Sequence, residues 1–343
     1  MAPSSVLRPR HSYSRGEFAD HFKPLKSQAY NDIARGATSH YGLRSISWSP
    51  LGNFIATGSA DKTLRVWNPE KNLVRNSTEL KGHSAAIEKV AFNPVKEAEL
   101  ASISNDGVVK IWDVRTKTCV NEVKGLGDAN ALAWAPDGTS ILAGNRSGEL
   151  FHLSPARSTV VSTHKQSIGT TQMAFCWSGE KIFLPARDGR IRILSYPELE
   201  PVLHLNHATG PGESTEFTLK GHTAACLTVE LSPTGKYLAT GGADSIVALF
   251  DTKDWLCQRT ITRLSGPVRS ISFTWDGSYV VGGCEDSSGL EVVHTETGEY
   301  IHTFKTAGPC EAVAWAPTKY CLAYSDLGIL RVIGLEAERA ERK

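Results

Sequence analysis

Short runs of alternating apolar and polar residues, each closed by a turn, fill the chain from about residue 43 to residue 335. In the first unit, apolar Leu43, Ile46 and Trp48 precede the turn Ser49-Pro-Leu-Gly-Asn53. A short apolar segment, Phe54-Ile-Ala-Thr-Gly-Ser-Ala60, follows, then Asp61, then a further run ending in Trp67. The same order returns with the turns APDGT (135–139), SPTGK (232–236) and TWDGS (274–278), and with the apolar segments ELASISN (99–105), YLATGGA (237–243) and YVVGGCE (279–285). Brief apolar runs punctuated by Gly, Pro, Asn and Asp predict short strands joined by tight turns.

The units are evenly spaced. A strand-ending residue and its turn recur as Trp48-Ser-Pro50, Phe92-Asn-Pro94, Trp134-Ala-Pro136, Phe175-Cys-Trp177-Ser178, Leu231-Ser-Pro233, Phe273-Thr-Trp275 and Trp315-Ala-Pro317, with turn spacings of 44, 42, 42, 55, 42 and 42 residues. A sheet of four short strands per period cannot bury both faces alone, whereas seven such sheets set radially bury them against one another. The predicted fold is therefore all-β, a seven-bladed β-propeller over residues 27–335. Only three strands follow Ala307, so the last blade is expected to take its outer strand from about residues 27–37. The long spacing is assigned to an inserted loop, 206–218 (Asn-His-Ala-Thr-Gly-Pro-Gly-Glu-Ser-Thr-Glu-Phe-Thr), rich in turn formers.

The units resemble the WD-repeat family. The marks are Gly82-His83, Asp106 and Trp112-Asp113 in blade 2, Gly221-His222, Asp244 and Phe250-Asp251 in blade 5, and His40, Asp61 and Trp67 in blade 1. The resemblance implies buried structural tetrads of His, Ser/Thr, Asp and Trp: His83, Ser102, Asp106 and Trp112 in blade 2, and His40, Thr57, Asp61 and Trp67 in blade 1. Blade 3 departs furthest, with Ser147 and Leu153 at the Asp and Trp positions.

Composition narrows the function classes. Lys and Arg number 37 against 36 Asp and Glu, which excludes a strongly basic nucleic-acid footprint for the whole chain. The seven cysteines are scattered and never spaced C-x-x-C, so neither a disulfide framework nor a zinc site is expected, and a reducing compartment fits best. No run of 18 apolar residues or apolar leader segment is present, and no membrane partner is expected. Ser, His and Asp within a blade invite a hydrolase reading, but the set repeats where an enzyme needs one site, and no nucleophile elbow, Walker loop or H-E-x-x-H helix occurs. Gly125-Leu-Gly-Asp-Ala-Asn130 has no helix after it, and His164, His204 and His207 lack a neighbouring ligand cluster. The expectation is a non-enzymatic chain with no cofactor, metal or small-molecule substrate.

What remains is surface. Aligning the blades places Arg44, Glu88, Asn130, Thr171, Leu227, Arg269 and Glu311 at one position of the innermost strand, and Arg44, Glu88, Asn130, Arg269 and Glu311 are the candidate partner-binding rim. Its mixed sign suits a protein partner better than nonspecific phosphate binding. Residues 1–26 carry Arg8, Arg10, Arg15, Lys23 and Lys26 against Glu17 and Asp20 and are expected to form a disordered basic tail, open to weak RNA contact. Residues 336–343 form a charged C-terminal tail.

Finer resemblance rests on Ile193-Leu-Ser-Tyr-Pro-Glu-Leu-Glu-Pro-Val202, with Arg65-Val-Trp-Asn-Pro69, Leu80-Lys-Gly-His83, Ile111-Trp-Asp-Val-Arg-Thr116 and Pro267-Val-Arg-Ser-Ile-Ser-Phe273. Together these look like the WD-repeat subunits of the THO complex. The resemblance implies a nuclear scaffold or interaction subunit of THO (TREX), docked on large helical scaffold subunits and acting in transcription-coupled mRNP assembly and mRNA export, with RNA contact indirect or weak. The alternative is a substrate receptor of a cullin-RING ubiquitin ligase, for which Trp112-Asp-Val-Arg115 has the required form.

Overall fold

The computed structural model describes residues 11–30, 42–70, 77–206, 214–286 and 289–335. Among these, strands assemble into seven four-stranded antiparallel sheets and one two-stranded ribbon, the arrangement of a seven-bladed β-propeller. Blade 1 comprises Leu43–Trp48, Ile55–Ser59, Leu64–Trp67 and Thr78–Leu80. Blades 2, 3, 5 and 6 repeat that meander over 87–123, 129–165, 226–261 and 268–305. Blade 4 joins Ala174–Phe175, Lys181–Pro185 and Arg190–Ser195 to a distant outer strand, Thr218–Lys220.

Burial follows radial position. The second strand of a blade is covered on both faces, so Ile55–Ser59, Ile141–Asn145 and Tyr237–Gly242 are buried at every residue, which explains their unbroken apolar and small composition. Outer strands such as Cys257–Ile261 are mostly exposed. A glycine lets adjacent blades close up: a Cβ on Gly58 would come within 2.7 Å of Ile87 Cγ2, and one on Gly241 within 2.6 Å of Val268 Cγ1. Backbone N–H groups of Val90 and Phe92 donate to the hydroxyls of Ser45 and Ser47 in the preceding blade, both at 3.1 Å. Trp48 Nε1 donates to Ala314 O at 2.9 Å and so ties blade 1 to blade 7.

Blade 7 contains Val313–Trp315, Leu322–Asp326 and Ile329–Ile333 from the C-terminal end of the ring, and its fourth strand is Gln28–Tyr30. The register pairs Gln28 with Val332 and Tyr30 with Leu330. Tyr30 is buried, meets the Trp67 ring edge-on at 5.8 Å and donates its hydroxyl to Pro69 O at 3.3 Å, which anchors the pairing strand to blade 1. The remainder of the expected closing strand, 31–37, lies outside the described residues, as do 336–343.

Two expectations need correction. Residues 11–26 are not a disordered tail: Ser14 caps helix α1 (Arg15–Phe22) through a capping box with Glu17. The helix holds because Phe18 and Phe22, two apolar side chains four residues apart, are inserted into the core between blades 6 and 7 beside Tyr279, Phe304 and Trp315. Sequence charge concealed this, since the polar residues around the two rings face solvent. The 206–218 segment is not simply a loop either. His204–Asn206 pairs with Ser214–Glu216 as a ribbon, and Thr218 already belongs to blade 4; a two-bond fork from Arg192, at 2.7 and 2.8 Å to the Glu216 carboxylate, fastens the ribbon to the blade. Residues 207–213 lie outside the described set.

Candidate functional site

Each blade's first strand runs from the face that carries the Asp loops to the face that carries the Pro/Gly turns. Near the Asp-loop end, the ladder between first and second strands skips one residue in five blades. The skipped residues are Arg44, Glu88, Asn130, Leu227 and Arg269. A bulge takes its residue out of the ladder and re-aims the side chain, which is the physical basis for a rim at this position. In blades 4 and 7 the paired strand begins later, at Ala174 and Val313, so Thr171 and Glu311 precede it.

The rim is more tied down than the sequence suggests. Arg44 pairs with Glu88 across the blade 1–2 boundary, and Arg269 pairs with Glu285 within blade 6. Asn130 is half-buried and donates to Thr170 O at 3.2 Å, bracing blade 3 against blade 4. Glu311 is exposed and borders a recess at the blade 7–1 seam with Leu43, Pro309 and Leu327, and Leu327 is itself 45% exposed. The Asp-loop face thus offers a few oriented ion pairs around an apolar notch.

The tetrads differ from blade to blade. In blade 2, His83 Nε2 and Ser102 Oγ are 2.7 Å apart and Trp112 Nε1 donates to the same hydroxyl at 2.8 Å. Asp106, however, does not accept from His83. Its carboxylate turns to the Ser84 hydroxyl and N–H and to Val108 N, leaving His83 Nδ1 buried without a partner. In blade 5 the chain is continuous: His222 Nδ1 lies 3.1 Å from Asp244 Oδ1, and Nε2 lies 2.8 Å from Thr240 Oγ1, with Phe250 in the Trp position. Blade 1 keeps the Trp67 Nε1 to Thr57 Oγ1 bond at 3.1 Å, and Asp61 caps Thr63; His40 lies outside the described residues. Blade 3 substitutes Asn145, which donates to Leu126 O and to Glu149, while Leu153 is buried in an apolar cluster.

Burial holds His83 well below the usual imidazole range, at about 4. The unfolded chain protonates this ring near pH 6.5 and the folded chain only near 4. Stability is therefore lost as pH falls through that window, by about 2 kcal/mol between pH 7 and 5 at 1.36 kcal/mol per unit. Replacing the ring in His83→Asn should shrink the difference between melts recorded at pH 7 and pH 5 by about that amount. Equal pH sensitivity in parent and variant would show that other groups carry it.

These Ser, His and Asp groups bond within their own blades. Among the described residues no group of three His, Cys, Asp or Glu is placed to hold a metal. His164 sits in the outer strand of blade 3 and His204 in the ribbon, with His207 outside the described residues. All seven cysteines are free. No described helix is long and apolar enough to cross a membrane.

The repeat geometry agrees with the comparisons. The WD domain, G-beta repeat model matches residues 35–68, 75–113, 213–251 and 255–288, which correspond to blades 1, 2, 5 and 6; blades 3, 4 and 7 are recognisable from their folded geometry. THO complex subunit 3 of Arabidopsis thaliana is 31% identical over 328 residues, covering 92% of this chain and 98% of the relative. The chain belongs to the THO complex subunit 3 family of WD-repeat proteins. WD repeat-containing protein AAC3 of Dictyostelium discoideum is 32% identical over 301 residues, 82% of this chain, though the match spans only 61% of that relative. Nuclear distribution protein nudF of Aspergillus niger is 23% identical over 267 residues, with 52% of its length matched.

For a THO subunit 3 family member the near end-to-end match means that the ring is the shared body of the protein. Residues missed in the sequence lie on its turn face and in its channel. Lys89 and Glu230, on first strands of blades 2 and 5, are electrostatically coupled. Burial lowers the Lys89 amine and pushes Glu230 up to about 7, each effect partly offset by the other charge. The signal available for Glu230 was its position, where Ser47 and Ser272 stand in blades 1 and 6; like them it accepts from the next blade, at 3.1 Å from Phe273 N.

Proposed function

We propose that this chain is a non-enzymatic interaction subunit of the THO (TREX) assembly, acting in the nucleus in transcription-coupled mRNP assembly and mRNA export. The observation that carries the reading is the 31% identity to THO complex subunit 3 across 92% of this chain and 98% of the relative. A rigid ring whose individually shaped loops surround oriented side chains suits docking on a larger partner. The partners proposed are the large helical scaffold subunits, met by the rim that includes Arg44, Glu88, Asn130, Arg269 and Glu311. RNA contact is indirect or weak: Arg15 of the basic N-terminal region is paired with Glu299, which lowers the charge available to phosphate.

Reversing two rim charges tests the surface. Arg44→Glu with Arg269→Glu places each side chain against its former partner, Glu88 or Glu285, and presents the wrong sign to an incoming chain. The expected result is a loss of copurifying scaffold subunits of at least tenfold, in a variant that melts like the parent. Undiminished assembly would move the interface off this rim. Arg115, already bonded to Asp113, should be dispensable; recovery of a cullin adaptor that is lost in Arg115→Ala would favour the ligase reading instead.

A further inference from the structure

The turn face holds a feature that the fold does not require. At the turn position where blades 1, 2, 3, 5 and 7 carry Pro50, Pro94, Pro136, Pro233 and Pro317, blades 4 and 6 carry Trp177 and Trp275. Five blades make the turn without an indole, so turn geometry does not explain the exchange. The two tryptophans flank Pro233 of the intervening blade and, with Phe175, Phe273 and Trp315, wall a recess with a cavity volume of about 440 Å³ at the turn-face mouth of the channel. Trp177 is 59% exposed, a large apolar surface held in place by its N–H bond to Ser232 O at 2.9 Å.

Two polar groups distinguish this recess from a greasy dent. Glu230 lines it and uses Oε1 to accept from Phe273 N at 3.1 Å and from the Ser272 hydroxyl at 3.4 Å, with no bond to Oε2 among the described residues. Trp315 is 95% buried by its 5% relative exposure, yet its indole N–H meets no acceptor, whereas the corresponding N–H groups of Trp48 and Trp134 donate to Ala314 O and Ala91 O. Lys89 occupies the strand position two residues further from the turns than that of Glu230, about 6.6 Å deeper in the channel by strand rise. The carboxylate therefore stands between the lysine and the mouth.

We infer that this recess binds a cationic side chain, an arginine or a lysine in free or methylated form, presented by a segment of a partner protein. Indole and phenyl faces attract a cation through the ring quadrupole, most strongly where water is excluded. Glu230 supplies the countercharge at the floor, beside the orphan Trp315 N–H. An apolar segment would leave the carboxylate buried opposite hydrocarbon, which disfavours it. The inference does not depend on which assembly the chain joins, and the site lies on the face opposite the Arg44–Arg269 rim.

The test uses the full chain and three small probes: the N-acetyl N-methylamides of arginine, trimethyllysine and norleucine, followed through the indole N–H resonances of Trp275 and Trp315 and through tryptophan fluorescence. Both cationic probes should move these resonances, with the stronger of the two identifying the natural side chain, and norleucine should not. Glu230→Gln keeps the acceptor for Phe273 N and should weaken cation binding at least tenfold. Trp275→Pro rebuilds the Pro-Asp-Gly turn already present at Pro136-Asp-Gly138, so it preserves the fold while removing one wall, and should weaken binding similarly. Arg269→Glu, on the other face, should bind as the parent does. Norleucine binding as tightly as the cations, unchanged binding in Glu230→Gln, or no response to any probe would each overturn the inference.

Discussion

Phe22→Ala is expected to destabilise the protein by about 4 kcal/mol, with Phe18→Ala close behind, within the range for emptying a buried aromatic site. Both rings are almost wholly buried, at 1% and 0% exposure. Phe18 lies 4.1 Å from the Tyr279 ring and Phe22 5.1 Å from Phe304, centroid to centroid. The cavity cannot collapse easily, because its walls belong to two different blades whose own ladders hold them in place. Polar bonds reinforce the packing: Tyr279 donates its hydroxyl to Tyr13 O at 2.8 Å, and Tyr13 N donates to Tyr320 Oη at 3.1 Å. Deleting residues 1–24 should therefore lower the melting temperature sharply and weaken assembly through the fold, whereas deleting residues 1–10 should leave the melt unchanged. Denaturant melts of the four variants check this. A parent-like melt for the 1–24 deletion would show that the helix merely rests on the ring.

Asp244→Ala should cost about 3 kcal/mol and Asp106→Ala no more than about half of that, although the two residues occupy equivalent loops. In blade 5 the aspartate accepts from a fully buried His222 side chain, from Thr223 N at 2.9 Å and from Ile246 N at 3.3 Å. Removing it strands the imidazole Nδ1 inside the protein. In blade 2 the corresponding His83 nitrogen is already unpartnered, and Asp106 bonds instead to Ser84 and Val108 in the turn. Denaturant midpoints for the two variants decide the matter; equal losses would mean that the His–Asp contact adds nothing beyond the turn bonds. Equivalence in sequence does not imply equivalence in energy here, because Asp244 meets its histidine whereas Asp106 turns to Ser84 and Val108.

The repeat was legible because it is a one-dimensional property. Alternation, turn residues and a spacing near 42 are written locally, and a four-stranded meander with two apolar faces has few ways to bury them. The rim alignment could also be read, since residue position in the first strand follows from the same period. Its charges could not: Arg44 meets Glu88, and Arg269 meets Glu285, only after blades and loops are set side by side.

By itself, then, the sequence determined the class of fold, the number of blades and the family, since each depends on patterns that recur along the chain or match a relative end to end. Tertiary structure alone decided that residues 15–22 are a packed helix and that Trp177, Trp275 and Trp315 converge around Glu230. The physical reason is the ring. Closing seven blades brings together residues roughly 40 to 300 positions apart, and contacts of that kind leave no local period by which they could be recognised.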